Sequence, residues 1–419
     1  MLAGLQQALV KQPEARMLKL WRDLAAGLSL EEAYSHIVTP PQLVFLTVDV
    51  TGVCDLTCPG VCYYHPDINP RKPILPEDTI KEAILEADAN LGLQTLVLSG
   101  KEPFLNPKRL FSLLEFCATL PERCFSIGTV TNGRHVARHW AELEAIADAG
   151  GLDFLDISID SGDGAQHDAM RGKAGTWDLA LAAVRDAAVR LPNVRVGIAS
   201  VLGRDNADGL LELLAIAAPA VSHFFIIPVQ PPPFSDMRPL SAESVLAFLR
   251  RLQTCLRALK QDKALEVTVS LSGLYVLEAV EAGLFAWHDL AESHHGMIYA
   301  QTQVDNHTLV YSCSVLPEQA CRVARITYDG AYLGHLHFLQ ASDPETYAAG
   351  NLLQESISAL YEKSIAPGSP FHRLLLSRQF HACRERPCWP NCFGGWTVAD
   401  NAFLTQYPLE SKPSLCSKN

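Results

Sequence analysis

No run of eighteen apolar residues occurs anywhere in the 419-residue chain, so a membrane-spanning helix is not expected. Positive charge is also scarce: 34 Lys and Arg face 46 Asp and Glu, and no basic block offsets the formal charge of −12. That balance excludes a general nucleic-acid binder. The first residues, Met1-Leu2-Ala3-Gly4-Leu5-Gln6-Gln7, show neither a basic n-region nor a cleavable apolar core. A secretory signal is therefore not expected, and a cytoplasmic location is. Internal repeats and low-complexity tracts are absent, which excludes solenoids and disordered arrays.

What is present is globular composition, 48% hydrophobic and 19% charged, in a chain long enough for two domains. Residues 1–42 read as an N-terminal helical extension of one or two short helices ending at Pro40-Pro41. Strand-like apolar runs then recur at 43–50, 94–99, 125–131, 154–160, 194–202 and 224–229. Helical patterns separate them, as at 76–89, 107–120 and 176–190. Six β/α repeats predict an α/β fold whose parallel sheet curls into a partial (β/α)6 barrel over 43–235, with chemistry at the strands' C-terminal ends. Gln230-Pro231-Pro232-Pro233-Phe234 breaks the pattern. A connecting α/β segment follows over 236–299, and 300–419 reads as a small Cys-rich domain organised by metal.

The twelve cysteines are unevenly placed. Cys54, Cys58 and Cys62 share one short loop after the first strand, and six lie beyond position 312. In a reducing compartment clustered thiols are metal ligands more often than disulfides. Cys117 and Cys255 fall on helical patterns and read as core thiols. Three thiolates on one loop can hold three irons of a cubane cluster and leave the fourth open for chemistry. Three cysteines joined by His65 also match a zinc set.

The segment Cys54-Asp55-Leu56-Thr57-Cys58-Pro59-Gly60-Val61-Cys62 resembles the radical S-adenosylmethionine (SAM) signature, Cys-x3-Cys-x2-Cys, with one residue too many in its second gap. Pro59-Gly60 is turn chemistry that can loop out an added residue. The family's aromatic before the third cysteine is Val61 here, and Tyr63 or Tyr64 is the candidate to replace it. Gly100-Lys101-Glu102-Pro103 resembles the family's Gly-Gly-Glu-Pro loop, which receives the methionine amino group of SAM. A backbone carbonyl and the Glu102 carboxylate both accept from an ammonium. Thr131-Asn132 supplies short hydrogen-bonding groups at the third strand's end. Ser158, Asp160 and Arg171 stand where relatives hold the ribose and the methionine carboxylate, a task that suits a guanidinium. Taken singly, each of these segments also reads as an ordinary turn or cap. Together they follow the family's order on consecutive strand ends.

The last third resembles the SPASM domain of peptide- and protein-modifying radical SAM enzymes. Cys313 and Cys321 match its first ligands, and Gly330 marks the turn between two strands. His335 and Trp396 stand where the family has cysteine. By the family's wiring Cys383, Cys388, Cys392 and Cys416 make the outer cluster complete. The inner site loses two ligands, and Cys313, Cys321 and His335 remain as its candidates. Four thiolates suit zinc as well as iron, so a zinc knuckle at the outer site stays open.

The resemblance implies SAM, a [4Fe–4S] cluster at Cys54, Cys58 and Cys62, and one auxiliary [4Fe–4S] cluster. It implies reductive cleavage of SAM to a 5′-deoxyadenosyl radical that takes hydrogen from a ribosomal precursor peptide or protein side chain, leading to a crosslink, an oxidation or backbone excision. The partners it implies are that substrate, a separate leader-peptide-binding protein, and a reductase such as flavodoxin or ferredoxin. Two alternatives stand beside it: a radical SAM dehydrogenase or mutase of a small metabolite, and a non-catalytic iron–sulfur or zinc interaction protein.

Overall fold

A computed structural model describes residues 43–59, 62, 64, 73–229, 240–261, 263–292, 298–314, 322–334, 347–366 and 368–369. The expected 1–42 extension, the 230–234 break, Cys321, His335 and every cysteine from Cys383 onward lie outside them.

The described residues form a single 13-stranded sheet. Its centre is parallel: β1 (Phe45–Thr51), β2 (Thr95–Gly100), β3 (Ser126–Thr131), β4 (Phe154–Ser158), β5 (Arg195–Leu202), β6 (His223–Pro228) and β7 (Glu266–Ser272) lie side by side in chain order. Between them run α1 (Glu77–Leu91), α2 (Pro107–Ala118), α3 (Trp140–Asp148), α4 (Gly164–Arg171), α5 (Thr176–Arg190), α6 (Ala207–Ala217) and α7 (Ala242–Ala258). The six expected strands are observed, each within a few residues of its predicted bounds.

Strand alternation divides the sheet into two unlike faces. Leu46, Val48, Leu96, Leu98, Ile127, Leu155, Ile157, Ile198, Phe224, Val267 and Val269 are fully buried and share one core with the apolar stripes of the helices. Their neighbours on the other face, including Ser99, Ser158, Ala199, Phe225, Thr268 and Ser270, are partly exposed. Right-handed crossovers that cover one face of a parallel sheet curl it around the other, so the half-exposed polar face is the inner one.

The sheet does not end at the sixth strand. After α8 (Gly273–Glu281) and β8 (Ala291–Glu292), β9 (Ile298–Val304) and β10 (His307–Ser314) form a hairpin whose second strand pairs parallel with β7. At the opposite edge β11 (Val323–Ile326) pairs parallel with β1, followed antiparallel by β12 (Ala331–Leu333) and β13 (Ala348–Asn351), before α9 (Ile357–Ile365). Gly330 does turn the chain between two strands, β11 and β12, at φ +92°. The expected divisions at 236 and 300 thus fall inside one continuous sheet, and both of its flanks come from beyond the six-strand core. Propensity marks strands; which edge they join is a long-range choice that the local pattern does not carry.

Candidate active site at the strand tips

Because β1 to β4 are parallel neighbours, their C-terminal ends bring four separate segments to one rim of the sheet. The Cys loop follows β1, Lys101–Pro103 follows β2, Asn132 follows β3, and Asp160 follows β4. The first two are stitched together by backbone. Lys101 N donates to Thr51 O at 3.2 Å, and Glu102 N to Val53 O at 3.0 Å. Gly100 sits at φ +120°, and a Cβ there would lie 2.5 Å from Thr51 O, so only glycine permits this approach.

Glu102 is fully buried and acts as a clamp between strand tips. Oε1 accepts from Phe104 N at 3.1 Å and Thr131 Oγ1 at 2.7 Å, and Oε2 accepts from Asn132 N at 2.8 Å. Burial lifts its carboxyl to about 7, against the pull of those three donors. The sequence suggested that this carboxylate receives an ammonium; here it is turned into the protein and engaged by three donors. Thr131 and Asn132 stand at the rim as expected, with Asn132 Nδ2 donating to Asp55 Oδ1 at 3.1 Å.

Asp55 is a hub that sequence reasoning did not single out. It receives Arg134 Nε at 2.9 Å and Lys173 Nζ at 3.3 Å, with His135 Nε2 also at 3.3 Å. Burial works to raise its carboxyl, but Lys173, Asn132, His135 and Arg134 outweigh it and hold Asp55 below the usual range. The Cys loop is thereby tied to the β3 tip and to the segment after α4.

Arg171, the last residue of α4, has its guanidinium on the fully buried Asp160 at 2.7 Å and near enough to the Cys58 thiol to act on it electrostatically. Its carbonyl accepts from Cys58 N at 3.2 Å, while its Nε is buried with no hydrogen-bond partner. Asp160 also accepts from Val201 N at 2.9 Å. Expected as two ligand-binding groups, Asp160 and Arg171 are first a buried pair that seats Cys58. Ser158 ends β4 on the inner face, half-exposed, as a group facing a ligand would be.

Cys54, Cys58 and Cys62 are each partly exposed and close enough to act on one another electrostatically. Cys58 holds a left-handed backbone, φ +39°, and Cys62 N donates to Cys58 O at 3.1 Å. Burial, with lesser contributions from the neighbouring thiols and carboxylates, pushes Cys54 up and Cys58 to about 11. Thiols crowded in this way become thiolates only around strongly cationic metal. Among the described residues no three His, Cys, Asp or Glu side chains converge enough to hold one bare ion. A cluster would place its three thiolates on separate irons, and three thiols on one loop fit that group.

Cys313 does not behave as the ligand it was matched to. It lies on the apolar face of β10, fully buried, its sulfur donating to Tyr311 O at 3.3 Å, and burial pushes it up to about 12. To ligate a metal its sulfur would have to leave the helix-covered core. Two further inner-face groups were missed, Asp156 of β4 and His223 of β6, whose Oδ1 and Nε2 are 3.3 Å apart. Burial raises Asp156 to about 7 and lowers His223 to about 4. An Asp inside the apolar run 154–159 was the available signal.

The comparisons with known proteins agree with this geometry. Residues 48–216 match the family model of the radical SAM superfamily. Pre-heme d1 synthase of Dinoroseobacter shibae is 31% identical over 182 residues, 42% of this chain and 43% of that protein. GTP 3′,8-cyclase of Synechococcus elongatus is 29% identical over 157 residues, 37% of this chain and 46% of that protein. The chain thus spans less than half the length of these curated relatives. Among solved structures, native anSMEcpe with bound AdoMet and Cp18Cys peptide superposes with a TM-score of 0.55 over 88% of this chain and 95% of that one, at 13% identity. That likeness is one of fold. With the four rim segments in the family's order, residues 48–216 of this chain are similar to the radical SAM superfamily domain.

Proposed function

We propose that this chain is a radical SAM enzyme acting on a small polar molecule held against the inner face of the sheet. One observation carries the reading. Cys54–Cys62, Gly100–Pro103, Thr131–Asn132 and the Ser158, Asp160, Arg171 group are four distant segments of sequence gathered at the tips of four adjacent strands. In this reading Cys54, Cys58 and Cys62 hold a [4Fe–4S] cluster. When bound with SAM, that cluster supplies the electron that yields methionine and a 5′-deoxyadenosyl radical able to take hydrogen from an unactivated carbon. The chain's own groups bind and orient. The backbone of Gly100 and Lys101 receives the amino group, the unpartnered Nε of Arg171 meets the carboxylate, and Ser158 the ribose. Glu102 keeps the β2 and β3 tips in register. Below the rim, Asp156 and His223 give the inner face a proton-accepting pair.

The small-molecule assignment is supported by the curated relatives, whose names are those of enzymes of GTP and heme d1 chemistry, and by the polar inner face. The peptide substrate, leader-binding partner and auxiliary cluster implied by the SPASM resemblance rest largely on 370–419, outside the described residues. An electron donor of flavodoxin or ferredoxin type is part of the proposal. Among the described residues no helix is long and apolar enough to cross a membrane.

The test is to add cell extract, split by ultrafiltration into a small-molecule filtrate and a peptide and protein retentate, to reduced enzyme with SAM. Release of 5′-deoxyadenosine is expected to rise about tenfold or more with the filtrate alone. Stimulation by the retentate instead overturns the small-molecule assignment in favour of a peptide or protein substrate.

A further inference from the structure

We infer that Tyr64, Asp49 and Arg325 form a clamp that fixes the Cys62 end of the cluster loop, so that retention of the cluster depends on β11, a strand from far beyond the radical SAM domain. The inference rests on the proposed cluster at Cys54, Cys58 and Cys62.

Tyr64 lies two residues after Cys62 and is only 8% exposed. Its hydroxyl donates to Asp49 Oδ1 at 3.1 Å and accepts from Arg325 Nη2. Arg325 closes the triangle, placing Nε 2.8 Å and Nη2 2.6 Å from the same Asp49 oxygen. Strand register explains the meeting. β11 runs parallel to β1 with Arg325 opposite Thr47, so Asp49 is two residues further along the same face. The guanidinium also lies 5.0 Å from the Tyr64 ring centroid, and Lys101 Nζ lies 5.9 Å from it. Two cations on one buried ring hold its plane as well as its hydroxyl. A second contact from the same C-terminal segment bears on the loop's other end. A Cβ on Gly52 would meet the Tyr328 ring at 2.7 Å, so the ring lies directly on the loop's first residue.

Three departures from the family's pattern are thereby connected. The loop is one residue longer before Cys62, Val61 replaces the usual aromatic, and Lys101 replaces a glycine. A longer loop spends more entropy to present Cys62 at a fixed place. An anchor immediately beyond Cys62 reduces that freedom, and Tyr64, Arg325 and Lys101 supply it from three elements. Buried ion pairs add little net stability but set position well, which is the property a cluster ligand at the end of a long loop needs.

The experiment uses full-length, anaerobically reconstituted protein and follows loss of iron to a ferrous chelator. The iron held by Cys54, Cys58 and Cys62 is identified as that missing from a variant carrying Cys54→Ala, Cys58→Ala and Cys62→Ala together. Tyr64→Phe keeps the ring and Arg325→Lys keeps the charge, so both retain the fold, checked by circular dichroism. Each is expected to speed loss of the iron at Cys54, Cys58 and Cys62 about fivefold, the factor carried by one net hydrogen bond. The double variant is expected to be no more than about twofold faster than the quicker single, because both act on one network. Wild-type rates in both single variants overturn the clamp, and so does full additivity in the double. If the triple cysteine variant binds as much iron as the wild type, the cluster assignment itself fails.

Discussion

Replacing Cys54, Cys58 and Cys62 together by alanine is expected to lower bound iron from about eight to about four per reconstituted chain, and to abolish SAM cleavage. The loss is all-or-none because no other described side chains can replace the three thiols. Cys117 and Cys313 are buried in the apolar core, Cys255 of α7 packs against that core, and Cys124 is exposed near the N-terminal end of β3, remote from the rim. The remaining four irons belong to the proposed outer site at Cys383, Cys388, Cys392 and Cys416. Iron and sulfide analysis checks the count. About twelve irons in the wild type would contradict a lost inner site, and eight in the triple variant would move the cluster away from this loop.

Glu102→Ala is expected to cost roughly 3–5 kcal/mol of stability in urea unfolding, because Phe104 N, Asn132 N and Thr131 Oγ1 lose their common buried acceptor. Glu102→Gln separates charge from shape. The folded carboxyl is raised to about 7 from an ordinary 4.5. Its contribution is therefore fully present below about 4.5 and is lost as pH rises through about 7. Wild-type stability relative to Glu102→Gln should fall by about 3 kcal/mol across that window. His167 and His223, lowered to about 4 by burial, drive stability the other way in both proteins and cancel in the difference. A difference independent of pH would show that Glu102 is ionised throughout.

The core strands were legible because each is an apolar run punctuated by turn chemistry, and the rim segments because they sit where strands end. What local sequence could not show was partnership across distance. Arg171 reads in sequence as a carboxylate-holding group, and only the fold shows its guanidinium already on Asp160 and its carbonyl on Cys58 N. Glu102 looked like a ligand group until its three donors appeared. Cys313 matched a ligand spacing, yet strand alternation turns it into the core. Asp49 did carry a signal, a carboxylate inside the run 43–50, but the side chain that accommodates it is 276 residues away. The flanks β9 to β13 were invisible as parts of the main sheet for the same reason: a spacing motif suggested a separate domain, and pairing with β7 and β1 is decided by tertiary contact.

In the proposed function the rim of β1 to β4 binds SAM and directs its reductive cleavage. Anaerobically reconstituted wild-type protein, reduced with dithionite and given SAM, should release 5′-deoxyadenosine and methionine in equal amounts, slowly even without substrate. The triple cysteine variant should release none. Iron bound at Cys54, Cys58 and Cys62 with no 5′-deoxyadenosine formed, with or without cell extract, would contradict SAM cleavage at this rim and leave a non-catalytic iron–sulfur protein.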